Sequence, residues 1–207
     1  MPIEAIFAPR ERGRVAAIAA GVVAALLLAG YPLDAWLGGG LRYERSGLAA
    51  GELWRLVSAH VAHLSWAHAA LNAAALLLVL QIFKSAVTMR EWIAAAAAAV
   101  IVIDAGLWWL DPAVDWYVGA SGVLHGMFVM GIAGLWRGGE RRIAFGLGVG
   151  LVAKLAFEWW QGPLASGLDL PVVTAAHRYG ATGGLVALAA TRLWAGGRPR
   201  RQRSGRR

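Results

Sequence analysis

Apolar residues run along this chain in blocks of about twenty, not in the alternating or 3.6-residue stripes of a half-buried surface element. Six blocks can be marked, at about 15–33, 66–83, 92–110, 119–136, 143–160 and 172–194. A helix of about 20 apolar residues is what a hydrocarbon core roughly 30 Å thick requires. The pattern therefore predicts an all-α membrane protein with six spanning helices. The Ala-rich run 94–99 agrees, because alanine is the strongest helix former. No internal repeat is visible. A basic stretch, Arg10, Arg12 and Arg14, precedes the first block, as it would in a cleaved signal peptide. With no polar mature domain after the block, a retained span is the better reading.

Composition sharpens this picture. Apolar residues make up 58% of the chain and charged residues 15%, against about 25% charged in soluble domains. The net charge of +8 would by itself fit a nucleic-acid binder, but its placement does not. Of the 20 Lys and Arg, 15 fall in the N-terminal segment, the 84–91 link, the 137–142 link and the tail from Arg192. By the positive-inside rule these segments share the cytoplasmic side, with both termini inside. The opposite links carry Asp34, Glu44, Glu52, Asp111, Asp115 and Asp169. Three regions result: a cytoplasmic segment 1–14, a six-span domain 15–194, and a basic tail 195–207. The tail is expected to be disordered and to meet anionic lipid, not nucleic acid. Trp66, Trp92, Trp108, Trp109, Trp136, Trp159, Trp160 and Trp194 fall near block ends, where such rings prefer the interface. The outer loop, about 34–65, is half apolar and is expected to lie partly in that interface. With no cysteine there is no disulfide framework or thiolate chemistry, and the redox compartment is left open.

Polar groups within spans are costly and mark candidate function. The fourth block opens Gly119-Ala120-Ser121-Gly122-Val123-Leu124-His125-Gly126, placing Ser121 just below the outer surface. Flanking glycines expose a serine hydroxyl and allow close backbone approach. A helix start there supplies free N–H groups to a developing oxyanion. The same residues also suit a helix-packing seam, and this segment alone does not choose. The sixth block holds Ala176-His177-Arg178-Tyr179-Gly180-Ala181-Thr182-Gly183-Gly184. His177 falls at the depth of Ser121, with Gly180 and Gly184 on the same face. Histidine is the usual base for a serine nucleophile, although a lone buried histidine also occurs as a hydrogen-bonded core residue. His68 and Asn72 share a face at i, i+4. They suit either oxyanion donors or interhelical hydrogen bonds. His60, His63 and His68 lack metal-ligand spacing and any accompanying Glu or Cys, so no metal is expected.

At these residues the chain resembles the rhomboid proteases. Trp54-Arg55 resembles the family's outer-loop pair. His63-Leu64-Ser65-Trp66-Ala67-His68, followed by Asn72, resembles its histidine-rich entry to the second helix. Gly119-Ala120-Ser121-Gly122 resembles its G-x-S-G motif, and Ala176-His177 with Gly180 and Gly184 its A-H-x-x-G-x-x-x-G motif. The resemblance runs from about residue 52 to 190. It implies a six-helix rhomboid-like bundle with a Ser121–His177 dyad, no third acid, and no metal or cofactor. The oxyanion would be held by His68, Asn72 and the Ser121 N–H. A loop near 161–171 would cap a cavity reached from the outer face, and the substrates would be other membrane proteins.

His125 stands where many rhomboid proteases have tyrosine. One turn after Ser121, it also competes with His177 as the base, though the motif favours His177. Gly-Val-Leu-His-Gly with the His-Leu-Ser-Trp-Ala-His block is similar to the rhombosortase branch. That branch implies removal of a C-terminal Gly-Gly, helix and basic-tail sorting signal from exported proteins, at the outer face of a Gram-negative inner membrane. The alternatives are a rhomboid protease of broader specificity, a non-catalytic rhomboid-like binder of membrane clients, and a small transporter. Retention of Ser121, His177, His68 and Asn72 opposes the binder; the lack of a repeat pair opposes the transporter. Lys154 and Glu158 form an i, i+4 pair in the fifth block, either a neutralising ion pair or a cavity lining that reads substrate. Arg178 is expected to snorkel outward. Oligomeric state is left open.

Overall fold

A computed structural model describes residues 9–163 and 172–196 of the chain, with side chains over 13–163 and 172–194. The basic tail beyond Gly196 and most of the expected capping loop, 164–171, lie outside the described residues. So do the first eight residues of the expected cytoplasmic segment.

Each predicted block becomes a helix because its backbone polar groups must be satisfied internally once water is excluded. Long helices are α1 (Pro9–Trp36), α4 (Trp66–Ile82), α5 (Met89–Trp109), α6 (Ser121–Arg137), α7 (Arg141–Gln161) and α8 (Thr174–Gly196). Two short helices, α2 (Arg45–Ala49) and α3 (Arg55–Ser58), lie in the segment between α1 and α4. Stretches within three helices, Gly13–Trp36, Met89–Trp109 and Arg141–Gln161, are long and apolar enough to cross a membrane. At 17 residues each, α4 and α6 reach only about 26 Å. The first helix differs most from expectation, since it runs from Pro9 through Pro32 to Trp36. Near a helix end a proline removes only one backbone bond, so the helix continues past it.

The central helix is α6, which packs against α4, α5, α7 and α8; α1 lies on α4, and α7 is peripheral. Large apolar side chains cover much of the outside, including Ile18, Leu78, Ile101, Phe145, Val152 and Leu193. So many exposed large apolar side chains call for a lipid or protein partner. Trp92 corrects the interfacial assignment: it is buried among core residues with its ring 6.4 Å from that of Phe83. Trp36, Trp109, Trp159, Trp160 and Trp194 are exposed.

The segment between α1 and α4 is held in place by a strand pair and two arginines. Its strand β1 (Tyr43–Glu44) pairs antiparallel with β2 (Trp116–Tyr117), just ahead of α6. Arg45 caps the end of α5, donating to the carbonyls of Leu107 at 2.5 Å and Trp108 at 2.9 Å, while its guanidinium lies over the Trp108 ring. These carbonyls have no partner within their own helix, so one arginine both satisfies them and joins the loop to α5. Arg55, of the Trp54-Arg55 pair, is buried and donates to the Gly39 and Arg42 carbonyls at 3.1 and 2.9 Å, and to the Glu52 carboxylate. Arg45 and the β1–β2 pair therefore tie this segment to the end of α5 and to the turn before α6, while Arg55 holds the segment together internally.

Candidate active site

The turn into α6 is built so that a helix begins at the serine. Gly119 has φ of +117°, a conformation that L side chains avoid. Its N–H donates to the Ala59 carbonyl at 2.9 Å, and its carbonyl accepts from the Tyr117 hydroxyl at 2.5 Å. Burial raises the Tyr117 phenol pKa well above its ordinary value, so the hydroxyl stays a donor. Ser121 is the first residue of α6, where backbone N–H groups lack intrahelical acceptors.

The α6–α8 contact then brings in the base. A Cβ added at Gly122 would lie 2.7 Å from the Ala176 carbonyl oxygen, and one at Gly126 would lie 2.6 Å from that of Gly180. On α8, a Cβ at Gly180 or Gly184 would run into the Gly122 or Gly126 carbonyl. No side chain fits between these backbones, so the helices approach as closely as their main chains permit. The result is a Ser121 Oγ to His177 Nε2 distance of 2.9 Å, with His177 buried.

His125 does not take the hydroxyl. Its Nδ1 is 2.7 Å from the Ser121 backbone carbonyl, so it donates there. Its ring stacks on His177 with centroids 4.3 Å apart and planes 17° from parallel.

His68 and Asn72 border the Gly119 turn. A Cβ at Gly119 would lie 3.0 Å from His68 Nε2 and 3.9 Å from Asn72 Nδ2. The Ser65 hydroxyl caps α4 by accepting from the His68 N–H at 3.1 Å. Asn72 Nδ2 donates to the His68 carbonyl at 3.1 Å, which fixes the amide and leaves its second N–H for another acceptor. His63 packs edge-on against His68, with centroids 4.9 Å apart. Burial and that neighbour push the His63 pKa down to about 4. His60 turns away, with Nε2 3.3 Å from Asp104 Oδ1, so the three histidines do not converge on one point.

One member of the cluster was not joined to it by sequence. Glu158 of α7 is buried, with Oε1 2.7 Å from Lys154 Nζ and Oε2 2.9 Å from His177 Nδ1. The ion pair expected within the fifth block is present, and it touches the histidine. The available signal was position along the helices: Glu158 lies three residues before the C-terminal end of α7, and His177 three residues after the N-terminal end of α8. Arg178 lies over the Trp159 ring at 4.2 Å, a second link between these helices.

His125, Glu158 and His177 offer ligand atoms within 4.8 Å of one another. The set fits a cation poorly. The Lys154 ammonium already neutralises Glu158, His125 Nδ1 is committed to a carbonyl, and the stacked rings present faces to each other instead of lone pairs.

Residues 50–194 match the sequence model of a family described as the Rhomboid domain. No curated protein matches the chain.

Proposed function

The chain belongs to the rhomboid family, whose members are intramembrane serine proteases, and we propose on that premise that Ser121 and His177 are its nucleophile and base. The observation that carries this is the 2.9 Å contact between Ser121 Oγ and His177 Nε2 at the start of a helix. Serine is a weak nucleophile until a neighbouring base takes its proton. Attack of Oγ on a scissile carbonyl sends the hydroxyl proton to Nε2. The imidazolium then returns it to the leaving amine, and water hydrolyses the acyl-enzyme by the same sequence. Negative charge on the carbonyl oxygen would be met by the Ser121 N–H, Asn72 and His68. Gly119, Gly122, Gly180 and Gly184 support the geometry, and His125 packs the base.

In the proposed setting, six helices cross the inner membrane of a Gram-negative bacterium, with both termini inside and the site open to the periplasm. The bias of Lys and Arg supports the orientation. The depth of Ser121, beneath an ordered outer segment, supports access from that side. The finer reading is a rhombosortase-like enzyme that removes a Gly-Gly, helix and basic-tail ending from exported proteins. Its support is His125 within Gly-Val-Leu-His-Gly and the His-Leu-Ser-Trp-Ala-His block.

Reconstitution in liposomes with a substrate bearing that ending tests both levels. Cleavage that disappears in Ser121→Ala and His177→Ala, and partly survives in His125→Ala, is the expected result. Equal cleavage of membrane substrates lacking the Gly-Gly ending would remove the sorting specificity and leave the protease. A dead His125→Ala beside an active His177→Ala would make His125 the base.

A further inference from the structure

A rhomboid-type dyad leaves the second nitrogen of its histidine without a carboxylate, and here that nitrogen has one. We propose that Glu158 is a positioning residue for His177, so that the site works as a Ser121–His177–Glu158 triad in which Lys154 keeps the carboxylate charged. The inference rests on the reading of Ser121 and His177 as the catalytic pair.

The two ring nitrogens of His177 are both engaged, Nε2 with Ser121 Oγ and Nδ1 with Glu158 Oε2, each at 2.9 Å. An ionised carboxylate only accepts hydrogen bonds. Nδ1 must therefore carry the ring proton, which leaves the Nε2 lone pair facing the hydroxyl. That is the tautomer a base for serine needs. When Nε2 takes the Ser121 proton, the ring becomes a cation 2.9 Å from a fixed anion; the Nδ1 proton stays where it is.

The carboxylate divides its oxygens in a way that neutralisation alone does not require. Oε1 meets Lys154 Nζ at 2.7 Å, while Oε2 points across the helix interface to His177. A buried carboxylate without a cation would take up a proton. Protonated Glu158 would offer a donor to Nδ1 and reverse the tautomer. Lys154 Nζ is 3.4 Å from Nδ1, farther than the carboxylate, and so acts on Glu158 and not as the ring's partner. The stacked His125 fixes the plane of the ring, and Glu158 fixes its rotation within that plane.

The test uses the full chain in liposomes with a model membrane substrate, comparing Glu158→Gln, Lys154→Met and Lys154→Arg with wild type. Glu158→Gln keeps the shape but presents an amide that can donate to Nδ1. Its kcat is expected to fall by about 10²–10⁴-fold with KM within about twofold. The ¹⁵N spectrum of His177 should change from the Nδ1–H to the Nε2–H tautomer. Lys154→Met should lose more than about tenfold in kcat and Lys154→Arg only a few-fold. Wild-type kcat in Glu158→Gln overturns the proposal. So does a lower kcat with the His177 tautomer unchanged, because Glu158 would then be structural. If Glu158→Gln does not fold, Lys154→Met with wild-type kcat and the wild-type tautomer overturns it instead. Ser121→Ala, run alongside, separates the two levels: if it cleaves as fast as wild type, the protease reading itself has failed.

Discussion

Gly126→Ala adds one methyl group a full turn below the reacting atoms. It touches neither Ser121 nor His177, and the seam predicts that it slows turnover by about 10²-fold. The new Cβ would lie 2.6 Å from the Gly180 carbonyl oxygen on α8 and 2.8 Å from Ala99 Cβ on α5. An ordinary contact between carbon and a carbonyl oxygen is about 3.4 Å, so α6 and α8 must part by roughly 0.8 Å. Gly126 is five residues from Ser121, about 7.5 Å along a rigid helix, and the separation carries to the site. The Ser121–His177 distance of 2.9 Å becomes roughly 3.7 Å, beyond a hydrogen bond. A misplacement near 1 Å costs about 10²-fold in rate, or about 2.7 kcal/mol in the barrier. Overpacking adds about 1–3 kcal/mol of destabilisation, so turnover is measured on protein that remains folded and monodisperse. Gly146→Ala on α7, where a Cβ meets nothing within 4 Å, is the control and should keep its kcat. The assay is kcat and KM on a reconstituted membrane substrate. Folded Gly126→Ala with wild-type kcat would refute the claim that the glycine seam sets the distance between nucleophile and base.

Asn72→Ala removes one of the proposed oxyanion donors and should lower kcat by about 10²–10³-fold with little change in KM; a change confined to KM would remove Asn72 from the oxyanion site. His63 should make stability depend on pH. Its pKa is about 4 when folded against 6.5 for the free side chain, so the unfolded chain gains a proton first as pH falls. The stability it contributes is complete above pH 6.5 and is lost on acidification toward pH 4, amounting to about 2 kcal/mol at pH 5. Unfolding midpoints in detergent at pH 7.5 and 5 should show that loss, and His63→Gln should flatten it; an equally steep His63→Gln variant would place the effect elsewhere.

Hydropathy made the helices legible because a lipid-facing segment has only one way to satisfy its backbone. All six apolar blocks coincide with long helices, and the first helix runs past its block at both ends, from Pro9 to Trp36. Depth counting from the block ends paired Ser121 with His177, since two helices running in one direction keep register over a few residues. Trp92 was misplaced because a ring near a block end fits either an interface or a core, and only its packing on Phe83 decides. Glu158 was recognised with Lys154, yet its contact with His177 depends on how α7 is rotated. A helix as peripheral as α7 shows no one-sided apolar stripe from which that rotation can be read. His125 was ambiguous for a related reason: one turn from Ser121 it can meet either the hydroxyl or the carbonyl, and the side-chain rotamer chooses.

Covalent trapping reads the nucleophile directly. Purified protein in liposomes is treated with a fluorophosphonate, and the modified peptide is mapped by mass spectrometry. One adduct is expected, on Ser121, formed in parallel with loss of proteolysis and absent in His177→Ala. An adduct on another residue, or undiminished modification of Ser121 when His177 is replaced, would contradict the assignment of nucleophile and base.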